Sequence, residues 1–567
     1  MKSLRITISV FVSLIAVLLL LALRCFYLQF LAKDHYYSVS IKQQQKRVTQ
    51  KPQRGAILDS RGRVLAASNK IQTVFAEPRI ITDPKAVSNK LAPILKMPAH
   101  QICMAITDSK NPGFAKIKVD ADPNQCRNAA QIYGIGVQSD WRRHYPVGPL
   151  AAHVVGFTSD DNRGLGGIEL QYDKQLSGSS GQNIFLADAF PSRRPVRLKQ
   201  HESLLNDGAG IILTIDSTIQ QFATAELMKQ YESYQAEAAI AIVAEPKTGA
   251  VLAMVSLPDF DPNDFGLTDP NNFRNRAVSD QFEPGSVIKP IAAAIAVDSG
   301  CVSLDEKIFC ELGNYRGKGF GQIGEYGNHK FADLTVRQIL VNSSNIGMAK
   351  IGQKLGKEKL HKGLSLFGFG KKTGIDLPGE VGGLLRPHEN WTGYSVTRIP
   401  FGQEISVTAL QLVRAFCILA NGGRSVQPFL VRAIVDNNGR LIELNRPPPP
   451  IGFVIKPEVA NWIVTDALTG VVNEGTGKKA KLKKWQVFGK TGTANISKTG
   501  QVGYSQTDYV ASFIAGAPAE DPAVVVLVSI YKPNVELGKG YTGGTVAAPV
   551  AAEILQKTLN YLEKQQQ

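Results

Sequence analysis

The chain has 567 residues, 44% of them hydrophobic and 20% charged, with a formal net charge of +16. That length accommodates two or three domains, and that balance excludes an intrinsically disordered chain. The positive charge suits anionic surroundings such as lipid headgroups, but the basic residues are dispersed, without zinc-finger spacing or an RNA-binding aromatic signature, so nucleic acid is not an expected partner.

At the amino terminus, Met1-Lys2-Ser3-Leu4-Arg5 precedes the apolar run Ile6–Leu23, which Phe26, Tyr27 and Leu28 extend. A helix over that run spans roughly 27 Å, enough for a bilayer core. The competing reading, a cleaved signal peptide, wants small residues at the end of the run, and Leu23-Arg24-Cys25 stands there instead. An uncleaved anchor over residues 6–28 with a cytoplasmic tail at 1–5 is therefore expected. Arg24 and Lys33, on the far side of the apolar run Ile6–Leu23, leave its orientation open by charge alone. Residues 25 to about 50 continue with helical spacing into the polar run Gln43–Arg47, read as a stalk.

Residues 51–210 mix short extended segments (Thr73–Ala76, Lys116–Val119) with Pro-rich turns and helical pieces. Arg54–Gly62 reads as a strand entering a polar turn, and His153–Gly156 and Gly166–Glu169 follow. None of these brings a nucleophile, a base and a third group together, so residues 51–210 read as a structural or interaction module, part of an N-terminal domain over residues 29–210. From 211 to 567 the pattern is sharper. Ile211–Asp216 is a short strand, and Ser217 to about Tyr231 is a helix for Asp216 or Ser217 to cap. Ala239–Ala244 and Ala250–Ser256 form a hairpin across Glu245–Gly249. Trp485–Phe488, Tyr509–Gly516 and Val524–Tyr531 are three more strands, Val546–Leu562 is a closing helix, and Pro447–Pro450 is a surface loop. Strands from both ends with helices between them predict one antiparallel sheet flanked by helices, an α+β domain.

Six cysteines show no C-x-x-C spacing, so no metal is expected; Cys301 and Cys310 lie near enough in sequence to bridge in an oxidising compartment. Three short patterns carry candidate chemistry. In Glu283-Pro284-Gly285-Ser286-Val287-Ile288-Lys289 a Pro-Gly turn leads into an apolar helix, which sets the Ser286 hydroxyl and the Lys289 amine on one face. A buried lysine is able to act as the base that a serine nucleophile needs. Ser529-Ile530-Tyr531-Lys532 repeats the spacing, but on a strand, where positions three apart face opposite ways. Ser343-Ser344-Asn345 lies between two apolar helical stretches; by itself it reads as a capping turn. Lys490-Thr491-Gly492-Thr493 heads a strand of small residues, over which a ligand backbone has room to lie. Lys-Thr-Gly recurs at Lys247, Lys372 and Lys498, in turns or polar loops.

In this order, S-x-x-K, S-x-N and K-T-G-T resemble the serine penicillin-recognising family. With the anchor, Arg54-Gly55, Gly167-Ile168-Glu169 and the C-terminal strands, the chain resembles a class B penicillin-binding protein. Ser343-Ser344-Asn345, Phe401–Thr408 and Gly543–Pro549 are most similar to its cell-division branch, the FtsI type. One departure is Ser60, where an arginine is expected after the aspartate. The resemblance implies an α+β multidomain protein: anchor, elongated membrane-proximal pedestal or dimerisation domain, and transpeptidase domain. It implies a D,D-transpeptidase that cross-links peptidoglycan stem peptides drawn from lipid-linked precursor, without a cofactor, at the outer face of a bacterial inner membrane. Ser286 is then the nucleophile, Lys289 its base, Ser343 a proton relay, and Asn345 a holder of Lys289 and of the substrate amide. Lys490 supplies positive potential, Thr491 and Thr493 bind the terminal carboxylate beside Gly492, and the N–H groups of Ser286 and Thr493 form the oxyanion hole. β-Lactams are expected to acylate Ser286. A polymerising glycosyltransferase and other division proteins are the implied partners; a glycosyltransferase domain or appended C-terminal repeats in this chain are not expected. The alternatives are an elongation-type enzyme, a D,D-carboxypeptidase or β-lactamase-like hydrolase, and a penicillin-binding scaffold.

Overall fold

The computed structural model describes residues 2–186, 196–203, 205–445, 452–497 and 503–566. The tetraproline at 447–450 and the Lys-Thr-Gly at Lys498 lie outside them. The described chain forms two compact units, residues 1–53 with 178–208, and residues 54–177 with 209–567.

In the first unit, Lys2–Phe26 is an α-helix continued by one π-helical turn, Tyr27–Leu31. Lys2–Leu31 is long and apolar enough to cross a membrane. A second helix covers Lys33–Gln44, but Gln45–Gln50 is a strand, antiparallel to Gly181–Leu186, which in turn pairs with Val196–Ser203. The expected helical stalk thus ends earlier, because the partner strand lies more than a hundred residues away and leaves no trace in local spacing.

In the second unit, one seven-stranded sheet collects strands from distant parts of the chain. Val64–Ala76 pairs with Ile57–Leu58, Ala115–Lys118 and Ile135–His144. Ile57–Leu58 runs parallel to Gly210–Leu213, which pairs with Val431–Val435. Beneath it lies a buried ionic knot. Glu169 accepts hydrogen bonds from Arg54 Nε and Arg143 Nε, both at 2.6 Å, and all three side chains are buried. The glutamate of the Gly167-Ile168-Glu169 segment therefore ties its short helix, Gly167–Gln171, to the strand that carries Arg143.

The second sheet is purely antiparallel and has five strands: β1 (Ala238–Ala244), β2 (Val251–Leu257), β3 (Phe488–Ser497), β4 (Tyr504–Ala517) and β5 (Val524–Tyr531), in the order β2-β1-β5-β4-β3. Alternate side chains face opposite ways, and both faces are buried. Ala239, Ala241 and Val243 pack with α1 (Ser217–Ser233), capped by Asp216 as its carboxylate accepts from Thr218 N, and with the C-terminal helix Ala548–Gln566. Ile240 and Ile242 face a larger core containing α2 (Lys289–Asp298), α3 (Asn345–Leu366) and α4 (Ala409–Ala420). Buried from Lys289 through Ala296, α2 is the central helix of that core.

One further sequence-based expectation changes. The β3 strand begins at Phe488 rather than ending there, so Lys490–Thr493 lies within it. Cys301 and Cys310 are both free thiols; Cys310 is buried against Ser344, and Cys301 lies beside Ser299 and Lys359.

Candidate active site

Gly285 opens the site. Its φ of +53° is a left-handed conformation that glycine adopts without strain, and a Cβ there would lie 3.1 Å from Thr493 O. One 3-10 turn, Gly285–Ile288, carries Ser286, and α2 starts at Lys289 with Pro290 in its first turn, where a missing N–H costs nothing. Ser286 thus stands one turn before the α-helix, its hydroxyl lining a cleft of about 390 Å³ together with Ser343, Asn345, Thr491 and Thr493.

The Lys289 side chain is fully buried. Its Nζ donates to Ser343 O at 2.5 Å, to Asn345 Oδ1 at 2.8 Å and to Ser343 Oγ at 3.2 Å. Burial pulls its pKa down to about 7, opposed by the Glu325 carboxylate. Lys490, also fully buried, donates to the same Ser343 Oγ at 2.9 Å and to Thr491 O at 3.2 Å. Its pKa is pushed well down by burial and by Lys289. Two lysines on one hydroxyl repel as ammonium ions, which disfavours charging both. Ser343 reaches both because its backbone is left-handed, φ +57°, in the turn between helix Val336–Val341 and α3.

On β3 the residues divide by role. Thr491 Oγ1 shares a 2.7 Å hydrogen bond with Thr476 Oγ1, and Thr493 Oγ1 accepts from Gly543 N at 3.1 Å. Gly492 is a spacer: a Cβ there would come within 2.6 Å of Val287 Cγ2 and 3.0 Å of Pro284 O, under the turn that carries Ser286. Among the described residues Ser286 Oγ has no hydrogen-bond partner, and the Lys289 amine is turned toward Ser343 and Asn345. All eight residues singled out by sequence lie around this cleft or directly beneath it.

The other copies of the motifs serve structure. Ser529 Oγ is buried against Ser512 Oγ at 2.9 Å, and Lys532 pairs with Glu237. Lys247 lies in the β1–β2 turn and pairs with Asp521, while Thr373 binds Glu380 through N and Oγ1. Sequence reading missed Glu325 and Thr476, which lie in Gly-rich loops without local pattern.

Residues 239–556, more than half of the chain, match the model of the penicillin binding protein transpeptidase domain. The chain belongs to the penicillin-binding protein transpeptidases. Residues 49–206 match the penicillin-binding protein dimerisation domain, and the two together make it a class B member of the FtsI and PBP3 type. It is 35% identical to stage V sporulation protein D of Bacillus subtilis over 96% of this chain and 84% of that one. It is 29% identical to peptidoglycan D,D-transpeptidase FtsI of Escherichia coli over 88% of this chain and 82% of that one. Penicillin binding protein 3 of Mycobacterium tuberculosis, solved with aztreonam, superposes with a TM-score of 0.71 at 27% identity, covering 91% of this chain and 97% of that chain.

Proposed function

We propose that this penicillin-binding protein is a peptidoglycan D,D-transpeptidase of septal wall synthesis, single-pass, with its catalytic domain outside the inner membrane. The observation that carries the reading is the hydroxyl of Ser343 held between two buried lysines at the wall of a cleft that Ser286 lines. In this reading Ser286 Oγ attacks the carbonyl between the two terminal D-alanines of a stem peptide. Its proton passes to Lys289, whose pKa burial pulls down to about 7 and which, when neutral, offers a lone pair instead of its third N–H. Ser343 relays that proton toward the leaving amine, with Lys490 as the partner that keeps the relay polarised. Asn345 orients Lys289 and the substrate amide, and Thr491 and Thr493 take the terminal carboxylate. The N–H groups of Ser286 and Thr493 meet the oxyanion, a contribution of about 3 kcal/mol per donor in comparable sites. D-Alanine leaves, an acyl-serine remains, and an amine of a neighbouring stem peptide takes the acyl group, restoring the serine. β-Lactams enter the first half of this cycle and stay on Ser286.

A polymerising glycosyltransferase and other division proteins are the partners that a membrane-anchored, two-module enzyme of this kind requires. The likeness to a sporulation protein favours, as a second reading, wall synthesis outside vegetative division; depletion separates the two, since loss of septal synthesis gives filaments in growing cells. The central test is labelling with a fluorescent penicillin. Wild type is expected to label, and Ser286→Ala and Lys289→Ala are expected not to. Undiminished labelling of Ser286→Ala refutes the assignment, and rapid release of the wild-type adduct favours a hydrolase.

A further inference from the structure

Nothing in the reading above uses Glu325, a buried carboxylate in the cleft wall on a separate loop, just after the short hairpin Asn314–Gly317 and Gly321–Gly324. Its Oε2 accepts from Asn345 N at 2.7 Å, and its Oε1 accepts from Ser344 Oγ at 2.5 Å and from Ile346 N at 3.2 Å. The carboxylate therefore caps the start of α3 from outside the helix, where free N–H groups and the helix dipole favour a negative charge. Ser344 completes the cap, its hydroxyl donating to Glu325 and accepting from Gly347 N at 2.9 Å.

The neighbouring residue fixes the other half of Asn345. Asn345 Nδ2 donates to Gly324 O at 3.1 Å, so the amide is turned with Oδ1 toward Lys289. Backbone and side chain of Asn345 are thus both held by Gly324–Glu325. The left-handed Ser343, which offers Lys289 its carbonyl and its hydroxyl, sits one residue before the serine that Glu325 binds.

We propose that Glu325 is a positioning residue of serine acylation, locking the Ser343–Asn345 turn in register with Lys289. It acts electrostatically as well. Lys289 faces the Lys490 amine on β3, and Glu283, Tyr326 and His329 line the same cleft, while the Cys310 thiol lies under Ser344. Among these the Glu325 carboxylate opposes the effect of burial on Lys289. Removing its charge lowers the pH at which Lys289 becomes neutral, while loosening the turn lowers the rate at every pH. The proposal rests on the reading of Lys289 as the base for Ser286.

The test is the acylation rate by a chromogenic cephalosporin between pH 5.5 and 8.5 for wild type, Glu325→Gln and Glu325→Asp, with thermal unfolding measured on each. Glu325→Gln keeps the shape but places an N–H₂ where a carboxylate oxygen accepted. We expect it to acylate about 10- to 100-fold more slowly at its optimum, with the acidic limb moved down by at least about 0.5 pH unit. Glu325→Asp, which keeps the charge, recovers part of the rate and leaves the limb near its wild-type position. A Glu325→Gln limb that does not move, or a rate within about twofold of wild type, overturns the proposal. A wild-type profile without an acidic limb overturns the Lys289 reading first, and the electrostatic arm here with it. If Glu325→Gln unfolds, Glu325→Asp decides: a reduced rate with the wild-type limb supports the proposal, and a wild-type rate or a moved limb overturns it.

Discussion

Replacing Gly492 by alanine tests whether the geometry of the Ser286 turn is set by the strand beneath it. The added methyl would lie 2.6 Å from Val287 Cγ2 and 3.0 Å from Pro284 O, with Ser512 Cβ at 3.6 Å. Ordinary contacts begin near ~3.5 Å, so the Pro284–Val287 segment has to retreat by about 1 Å. Ser286 lies inside that segment and moves with it. A misplacement of about 1 Å at a reacting group costs on the order of 10²-fold, while the overpacking itself costs about 1–3 kcal/mol of stability. The assay is the second-order rate of labelling by a fluorescent penicillin, with thermal unfolding measured in parallel. The expected result is a folded protein that labels about 100-fold more slowly. Adding Val287→Ala removes the nearer clash and is expected to recover part of the rate, a coupling that two independent effects would not show. Labelling within about twofold of wild type refutes the argument, because the turn would then be set by something other than its contact with β3.

Other consequences follow from single contacts. Acylation is expected to be half-maximal near pH 7 and to fall about tenfold per pH unit below it, because Lys289 accepts a proton only when neutral and is neutral above its pKa of about 7; a rate that stays flat to pH 5.5 contradicts this. Glu169→Gln leaves the buried Arg143 without a carboxylate and Arg54 with only the part-exposed Asp173, and a loss of about 3 kcal/mol is expected in denaturant titration; an unchanged midpoint would mean that the knot is not coupled to folding. Since Cys301 and Cys310 are free thiols, dithiothreitol is expected to leave the thermal midpoint unchanged, and a drop of several degrees would reveal a bridge.

Much of the catalytic half was legible because its signals are local. The apolar runs Ala238–Ala244 and Val524–Tyr531 announce strands buried on both faces. Asp216 ahead of Ser217 announces a capped helix, and the Pro-Gly turn before the apolar α2 announces where Ser286 stands. The N-terminal module was harder. Gln45–Gln50 is polar and carries helix-compatible residues, and it becomes a strand because Gly181–Leu186 is there to pair with it. Pairing energy lies in the partner, and local spacing does not record it.

The sequence by itself determined the order of the three motifs, and hence which serine, which lysines and which threonines belong to the cleft. It also determined the discrimination between Ser286 and Ser529, since a helix start and a strand present positions three apart differently. The tertiary structure alone decided what those residues are chemically. The Lys289 amine is brought toward neutrality, as the proposed role of base requires, because full burial strips water from it, a property of the surrounding core rather than of its neighbours in the chain. The structure also brought Glu325 to the head of α3, made Gly492 a spacer under Ser286, and hung the Ser343 hydroxyl between two lysines. Each of these depends on segments brought together from afar, where distance and desolvation, not residue type, set the energy.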